Sequence, residues 1–422
     1  GKFVNIVKVP KLRFRGFNKE WQEKRIGEII TVKSGQGFKA SEYSDKEGVR
    51  LLQIENVKYG TINWDNYVEM PKEYLQKYPD LHLKKGDIIL ALNRPVTNGQ
   101  LKIAILKDAD SPSILYQRVG KLTALENVNS IFIYYLCLIY IKTHVLRQSV
   151  GSDQPFISLK SLYRDRAFLP EKEEQEKIAG FLTTVDDKIS GLEKKKELLE
   201  KYKKGVMQKI FPPVGGQAPQ IRFKGFSSKR EETSLGEVGK TYNGLQGKTA
   251  EDFGEGQPYI TYSQIFADSI LNITNFGKVK ILANEKQNVA QKGDVFFTTS
   301  SETPEEVGYS SVLVDEIEPL YLNSFCFGYR INDQKKLLPE FARFLFRSQG
   351  FRKKVVRLAQ GSTRYNLSKI EFMKTTVDLP EFEEQKRVAD FLTVLDDRIE
   401  LQNKKLQQAK KFKKALLQSM FV

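Results

Sequence analysis

Between residues 178 and 210 the apolar residues recur at alternating steps of four and three: Ile178, Leu182, Val185, Ile189, Leu192, Leu199, Val206 and Ile210. Lys196 and Lys203 take the two seam positions that are not apolar. The rhythm returns with an offset of 210 residues in Val388, Leu392, Leu395, Ile399, Gln402, Leu406, Ala409, Lys413, Leu416 and Met420. A stripe of about two residues in seven is the seam of a coiled coil, narrower than the apolar face of most helices on a globular core. Each stretch opens on a proline, Pro170 or Pro380, which fits the first turn of a helix. Glu171, Glu173 and Glu174, or Glu381, Glu383 and Glu384, then sit at the positive end of the macrodipole. Forty-odd residues at about 1.5 Å each predict a rod of about 60 Å whose stripe needs a partner, and the other copy supplies one.

The repetition extends well beyond the rods. PEKEEQEKIAGFLTTVDDKI at 170–189 returns as PEFEEQKRVADFLTVLDDRI at 380–399, and PKLRFRGF at 10–17 returns as PQIRFKGF at 219–226. Next come IGEIITVKSGQGFK at 26–39 and LGEVGKTYNGLQGK at 235–248, each a β-prone run ending in a glycine-rich turn. KKGDIIL at 84–90 and QKGDVFF at 291–297 read as turns feeding buried strands. Unlike polar loops follow them, NRPVTNGQ at 93–100 and SSETPEEVG at 300–308. The halves match again at GSDQPFISL, 151–159, and GSTRYNLSK, 361–369, and FPPVGGQAP at 211–219 is the linker between them. One short linker between the end of the first rod and the second globular domain favours antiparallel rods. The predicted fold class is therefore α+β: two similar α/β globular domains separated by two long helices that form an antiparallel coiled coil, with a pseudo-twofold internal repeat. The expected boundaries are 1–169 for the first globular domain, 170–211 for the first helix, 212–379 for the second domain and 380–422 for the second helix. The leader is expected beside Phe421, as its second copy is beside Phe211.

Composition narrows the function. The 422 residues are 40% hydrophobic and carry 68 basic against 52 acidic residues, for a formal net charge of +16. The rods are nearly balanced, so the excess lies in the globular parts and points to an anionic partner, nucleic acid ahead of a membrane surface. The longest apolar run, 131–141, is too short to span a bilayer and is read as a packed helix. No signal peptide is recognised, and the initial Gly suggests a trimmed or tagged start. Cys137 and Cys326 occupy non-equivalent apolar surroundings, which predicts buried free thiols and a cytoplasmic protein. Enzyme chemistry finds poor material. His82 and His144 are the only histidines, no metal-ligand spacing occurs, and the Gly247-Lys248-Thr249 run lacks the earlier glycine of a phosphate-binding loop, having Tyr242 there. No catalytic residue and no metal site are expected.

Two variable basic domains alternating with two repeated helices, each with its EEQ and FL…DD pattern, resemble the specificity subunit of type I restriction-modification systems, over nearly the whole chain. The resemblance implies a non-catalytic subunit whose two target-recognition domains each read one half of a split double-stranded DNA sequence. It implies a coil that sets the spacing and docks two methyltransferase subunits, with restriction subunits completing the complex. S-adenosylmethionine, ATP and Mg would belong to those partner subunits, and no cofactor to this chain. A free-standing two-headed DNA-binding regulator and a coiled-coil scaffold whose heads bind protein remain alternatives.

On that reading the first base-contact candidates are Asn93, Arg94, Asn98 and Gln100 in one loop and Ser300, Ser301, Glu302 and Thr303 in the other. Arg, Asn and Gln can bond purine edges in bidentate fashion, and Glu can accept from cytosine. Gln154, Thr363, Arg364 and Tyr365 in the Gly-Ser turns come second, and Lys39, Lys102, Arg118, Lys248 and Arg330 are phosphate-contact candidates. Arg343, Arg347, Arg352, Lys353, Lys354 and Arg357 form a basic cluster that could follow a DNA backbone. Glu174, Gln175, Glu384 and Gln385 are candidates for docking the methyltransferase, because a twofold partner needs equivalent sites.

Overall fold

A computed structural model of the chain describes residues 9–44, 47–148, 156–212, 218–361 and 364–422. They form two compact units. Unit 1 takes the chain up to Leu192 together with Lys405–Val422, and unit 2 takes Glu193–Lys404. Both long helices, Lys172–Ile210 and Phe382–Met420, contribute residues to each unit. A unit is thus a globular domain plus a stretch of both helices.

The shared frame of each globular domain is a four-stranded antiparallel sheet. In unit 1 its order is Ile30–Ser34, Val119–Ala124, Ile88–Ala91 and Ile103–Ile105. In unit 2 it is Gly239–Asn243, Cys326–Ile331, Val295–Thr298 and Ser310–Val312. The strand that follows each Lys-Gly-Asp turn is interior and wholly buried, as its unbroken apolar run predicts. The turn aspartate holds the turn: Asp87 accepts from Lys84 N–H at 2.8 Å, and Asp294 from Gln291 N–H at 2.9 Å. Gly35 and Gly244, which end the first strand of each sheet, are needed for close approach. A Cβ there would lie 2.3 Å from Tyr116 O or 2.1 Å from Asn323 O.

The sequence between the anchors builds a second sheet, and here the units differ. Unit 1 has four strands, with Val49–Leu52 and Ser113–Leu115 as its parallel pair. Unit 2 has three, with Phe253–Ile260 parallel to Tyr321–Leu322. An antiparallel pair closes each domain just before its long helix, Gln22–Arg25 with Arg166–Leu169 and Glu231–Ser234 with Thr376–Leu379.

The apolar run at 131–141 lies in a helix, Ser130–Gln148, long and apolar enough to cross a membrane by length and composition. Phe132, Ile133, Leu136, Cys137, Ile141 and Val145 are buried in the core of unit 1, so the helix is a core element. Within that core Ile178, Leu182, Val185 and Ile189 join Leu406, Leu416 and Met420. In unit 2, Val206 and Ile210 join Val388, Leu392 and Leu395, while Leu192, Leu199 and Ile399 are half-buried. The seam residues therefore pack on the globular cores as well as on the opposing helix. Seam Lys413 pairs with Asp186 in unit 1 and seam Lys203 with Asp396 in unit 2, so that from 186 to 203 on the first helix the partner falls from 413 to 396 on the second and the helices run antiparallel.

The leader meets the helix end as expected. Leu12 N–H donates to Ser419 O at 2.9 Å, and Gln220 N–H donates to Lys209 O at 2.9 Å. Phe421 packs edge-on to Trp21, and Phe211 lies 5.4 Å from Phe341 between ring centres.

Candidate nucleic-acid interface

Each Lys-Gly-Asp strand runs out of its sheet into the polar loop that follows, and the fold stitches this exit to a second loop. In unit 1, Leu92 N–H donates to Arg118 O at 2.9 Å, Ile157 N–H donates to Leu92 O at 3.0 Å, and Asn93 bridges to Phe156. In unit 2, Thr299 N–H donates to Phe325 O at 3.0 Å and Leu367 N–H donates to Thr299 O at 2.9 Å. Ser300 and Ser301 there pair with Asn366 and Tyr365, and Ala359–Gln360 adds a third strand. The segments proposed separately from the sequence, after the strand and before the long helix, are therefore neighbours in both units.

Within unit 1 the loop is a hairpin, Val96–Thr97 against Gln100–Leu101, turned by Asn98 (φ 51°) and Gly99 (φ 68°). Two left-handed residues are what a two-residue hairpin turn requires, and Asn-Gly supplies them cheaply. Lys102 N–H bonds Pro95 O at 2.7 Å, and Tyr59 and Thr97 share a hydroxyl bond of 2.6 Å, so the hairpin is fixed to the domain. Arg94, Asn98, Gln100 and Arg118 are exposed at this end of the sheet, with Asn93 and Lys102 half-buried. Unit 2 exposes Glu302, Thr303 and Arg364 and half-exposes Ser300 and Tyr365. Lys39 is exposed, beyond the glycine turn. Gln154 and Thr363 lie outside the described residues.

Several expected contacts are corrected. Ser301 is buried, and its hydroxyl donates to Glu306 Oε2 at 2.7 Å. Lys248 is half-buried, with its ammonium held by Glu285 at 2.5 Å. Arg330 is held by Asp294 at 2.6 Å and by Val289 O, so its charge stabilises the Lys-Gly-Asp turn. In the basic cluster, Arg343 bonds Ser269 and Asp396, Arg347 bonds the carbonyls of Ile265, Asp268 and Ser310, Arg352 bonds Glu305 O, and Lys354 bonds Thr376 O. Those four serve the fold. Burial pushes the Arg347 guanidinium down to about 10, against the pull of Asp268.

The four docking candidates are also corrected. Glu174, Gln175, Glu384 and Gln385 are at most 3% exposed and offer no surface to a partner. Glu174 takes a two-pronged bond from Arg13, and Glu384 takes one from Arg222 with Arg230 beside it. Gln175 accepts Asn129 N–H and donates to Pro170 O, and Gln385 accepts Leu338 N–H and donates to Pro380 O. These residues lock each long helix to its leader and to the start of a domain helix.

Other exposed residues at the sheet ends escaped the sequence reading. Gln117 and Phe156 stand beside Arg118 and Asn93, and Phe325 takes the place of Arg118 in unit 2. The aromatics carried no sequence signal, because a phenylalanine next to a strand reads as core. Neither histidine forms a catalytic constellation: His144 is buried with Nδ1 2.8 Å from Asp165, and burial lowers the pKa of His82. Cys137 and Cys326 are free buried thiols whose pKa values burial raises. Among the described residues, no three His, Cys, Asp or Glu side chains converge as metal ligands.

Comparison with known proteins agrees with the repeat. Two solved structures share the fold at 18% identity. One, an S subunit of a type I restriction-modification system from M. genitalium, has a TM-score of 0.59 over 98% of this chain and 99% of that one. The other, from a study of assembly and conformational transition of a type I restriction-modification system, has a TM-score of 0.56 over 95% and 97%. Among sequences, the MjaVIII specificity subunit of Methanocaldococcus jannaschii is 42% identical over 190 residues, 44% of each chain. The EcoAI specificity subunit of Escherichia coli is 30% identical over 184 residues, 43% of this chain and 31% of that protein. The chain thus matches less than half the length of either relative. The putative MjaX specificity subunit of M. jannaschii is 25% identical over 419 residues, 94% of this chain and 92% of that one. The family model for the type I restriction modification DNA specificity domain matches twice, at residues 18–201 and 228–411, and the chain belongs to that family.

Proposed function

We propose that this chain is the DNA sequence-recognition subunit of a type I restriction-modification complex, each unit reading one half of a bipartite double-stranded target. The observation that carries this reading is the pair of like sheets that present unlike polar loops at the same end. A common frame with different exposed side chains suits two readers of different base sequences, since phosphate contacts position a protein and base-edge contacts specify. The chain itself is non-catalytic. Two methyltransferase subunits dock on its repeated helices and restriction subunits complete the assembly in the cytoplasm, with S-adenosylmethionine, ATP and magnesium held by those partners. The paired helices fix the number of unread base pairs between the two blocks.

The test is selection from random duplex DNA by the chain co-purified with its methyltransferase. Two short blocks separated by a constant run of unspecified bases are expected, and exchange of one variable domain changes one block only. A single continuous block would favour a two-headed regulator with one working head. No enrichment at any salt concentration, with the complex intact, would favour the scaffold.

A further inference from the structure

Among the described residues, four that are not glycine have a left-handed backbone, and all lie in unit 1: Arg94 (φ 43°), Asn98 (51°), Arg118 (66°) and Asn127 (66°). Asparagine tolerates this region, and Asn98 needs it for the hairpin. Arginine gains nothing from it, because its Cβ crowds the following carbonyl. Arg94 carries a further cost, since Pro95 favours an extended backbone in the residue before it. Arg118 stands third in the turn 116–119, closed by Val119 N–H to Tyr116 O, where a left-handed backbone calls for glycine.

The frame does not demand the strain. In unit 2 the corresponding turn, 323–326, is closed by Cys326 N–H to Asn323 O at 3.1 Å, and Phe325 fills the place of Arg118 without a left-handed backbone. The bond from Leu92 to Arg118 has its equivalent in the bond from Thr299 to Phe325. One sheet end is thus built with two strained arginines and the other with none. The two are close along the chain framework, because Leu92 donates to Arg118 and lies two residues before Arg94. Both are exposed, and among the described residues neither guanidinium has a hydrogen bond or ion pair. Arg330, Arg343 and Arg347, by contrast, are engaged by carboxylates and carbonyls. Strain kept at exposed, unengaged arginines marks a place where side-chain direction is selected.

We propose that Arg94 and Arg118 are specificity-determining residues of unit 1, each offering its guanidinium to O6 and N7 of a guanine in the major groove, so that the half-site read by unit 1 contains guanine. This rests on the DNA-recognition reading above and adds the identity of the bases. The planar fork of arginine meets the two acceptors with two parallel N–H bonds, whereas the ammonium of lysine reaches them only as a point donor on a flexible stem. Unit 2 presents Phe325 at the same place and reads its half-site by other contacts.

The experiment compares the intact complex carrying Arg94→Gly, Arg118→Gly, Arg94→Lys or Arg118→Lys with the unaltered complex, by DNA selection and by thermal melting. Glycine relieves a left-handed backbone, so both glycine variants should melt at or above the unaltered temperature. Each should lose roughly ten- to hundredfold discrimination at one guanine of the first block, leaving the second block unchanged. Lysine, which can also donate to O6 and N7 but without a fixed fork, should keep binding strength and lose only part of that discrimination. Replacing the guanines of the first block by 7-deazaguanine should weaken the unaltered complex and leave the glycine variants indifferent. Uniform weakening on all sequences, with the salt slope reduced by about one per arginine, would make these phosphate contacts and overturn the assignment. Lower melting with unchanged discrimination would make them structural and overturn it equally. Two selected blocks that are untouched by either variant overturn this inference alone, whereas an unaltered complex that retains no DNA overturns the DNA reading and this assignment together.

Discussion

Lys413 lies 2.6 Å from Asp186 on the opposing helix in unit 1, and its repeat equivalent Lys203 holds Asp396 in unit 2. Each aspartate also receives a donor from its own globular domain: Tyr135 reaches Asp186 at 2.9 Å, and Arg343 reaches Asp396. One carboxylate per unit therefore ties together two helices and a domain. The third partner makes the two sites unequal. Asp396→Ala strips the charge from a nearly buried arginine as well as from a lysine, and should cost about 3 kcal/mol. Asp186→Ala leaves a neutral tyrosine and a lysine that can reach water along its stem, and should cost about 1 kcal/mol. Chemical unfolding of the two variants checks the order, and equal losses would remove the special role of Arg343.

The glutamate at the start of each long helix makes a second prediction. Glu384 is 1% exposed at its side chain and faces both Arg222 and Arg230, so Glu384→Gln leaves two cations without a full counter-charge. A loss of roughly 3–5 kcal/mol is expected. Among the described residues Glu174 answers to Arg13 alone, with no second, more buried cation like Arg230 beside it, and Glu174→Gln should cost less. The second leader should come loose from the helix ends, visible as faster amide exchange at Gln220, whose N–H donates to Lys209 O. A variant that folds normally but no longer binds methyltransferase would contradict the interior role.

Acid should act on unit 2 through Glu285. The Lys248 ammonium, then the Gln287 amide and the Leu282 N–H, hold its pKa at about 2, below the unfolded value of about 4.3. A depressed carboxylate contributes stability that is complete above the unfolded pKa and is lost as pH falls through the folded one. The stability difference between the unaltered chain and Glu285→Gln should therefore narrow from about pH 4.3 downward and close near pH 2. Unfolding by urea along a pH series checks this. A difference that stays constant with pH would mean that Glu285 acts by packing rather than charge.

Periodicity made the long helices legible, because a narrow seam at steps of three and four fits little besides a coiled coil, and repetition made the two frames legible. Charge misled where it was read without partners. Lys248, Arg330 and Arg343 carry the charge that binds phosphate, but their carboxylates lie 37, 36 and 53 residues away and meet them only in the folded chain. Glu174 and Glu384 read as surface because glutamate usually is. The repeated leader offered the missing cations, Arg13 and Arg222, in the matched PKLRF and PQIRF segments. The Asn98-Gly99 hairpin was also written in the chain as a known turn signal, although its loop was read only as polar. The second sheets were not legible, since their strands are short and divergent and depend on distant pairing, as of Val49–Leu52 with Ser113–Leu115.

If the paired helices set the gap between two half-sites, their length should be readable in DNA. Removing seven residues between Asp186 and Lys203, and seven between Asp396 and Lys413, keeps both ion pairs and the phase of the seam. Seven residues at about 1.5 Å shorten each helix by about 10 Å, or about three base pairs of duplex. Selection with the shortened complex should return the same two blocks with a gap about three base pairs smaller, because the reading loops are untouched. Removing seven residues from one helix alone should instead break one ion pair and lower the melting temperature without giving a new defined gap. An unchanged gap in the doubly shortened complex would show that the spacing is set elsewhere, by the methyltransferase subunits or by the DNA they bend, and the helices would then serve as docking struts only.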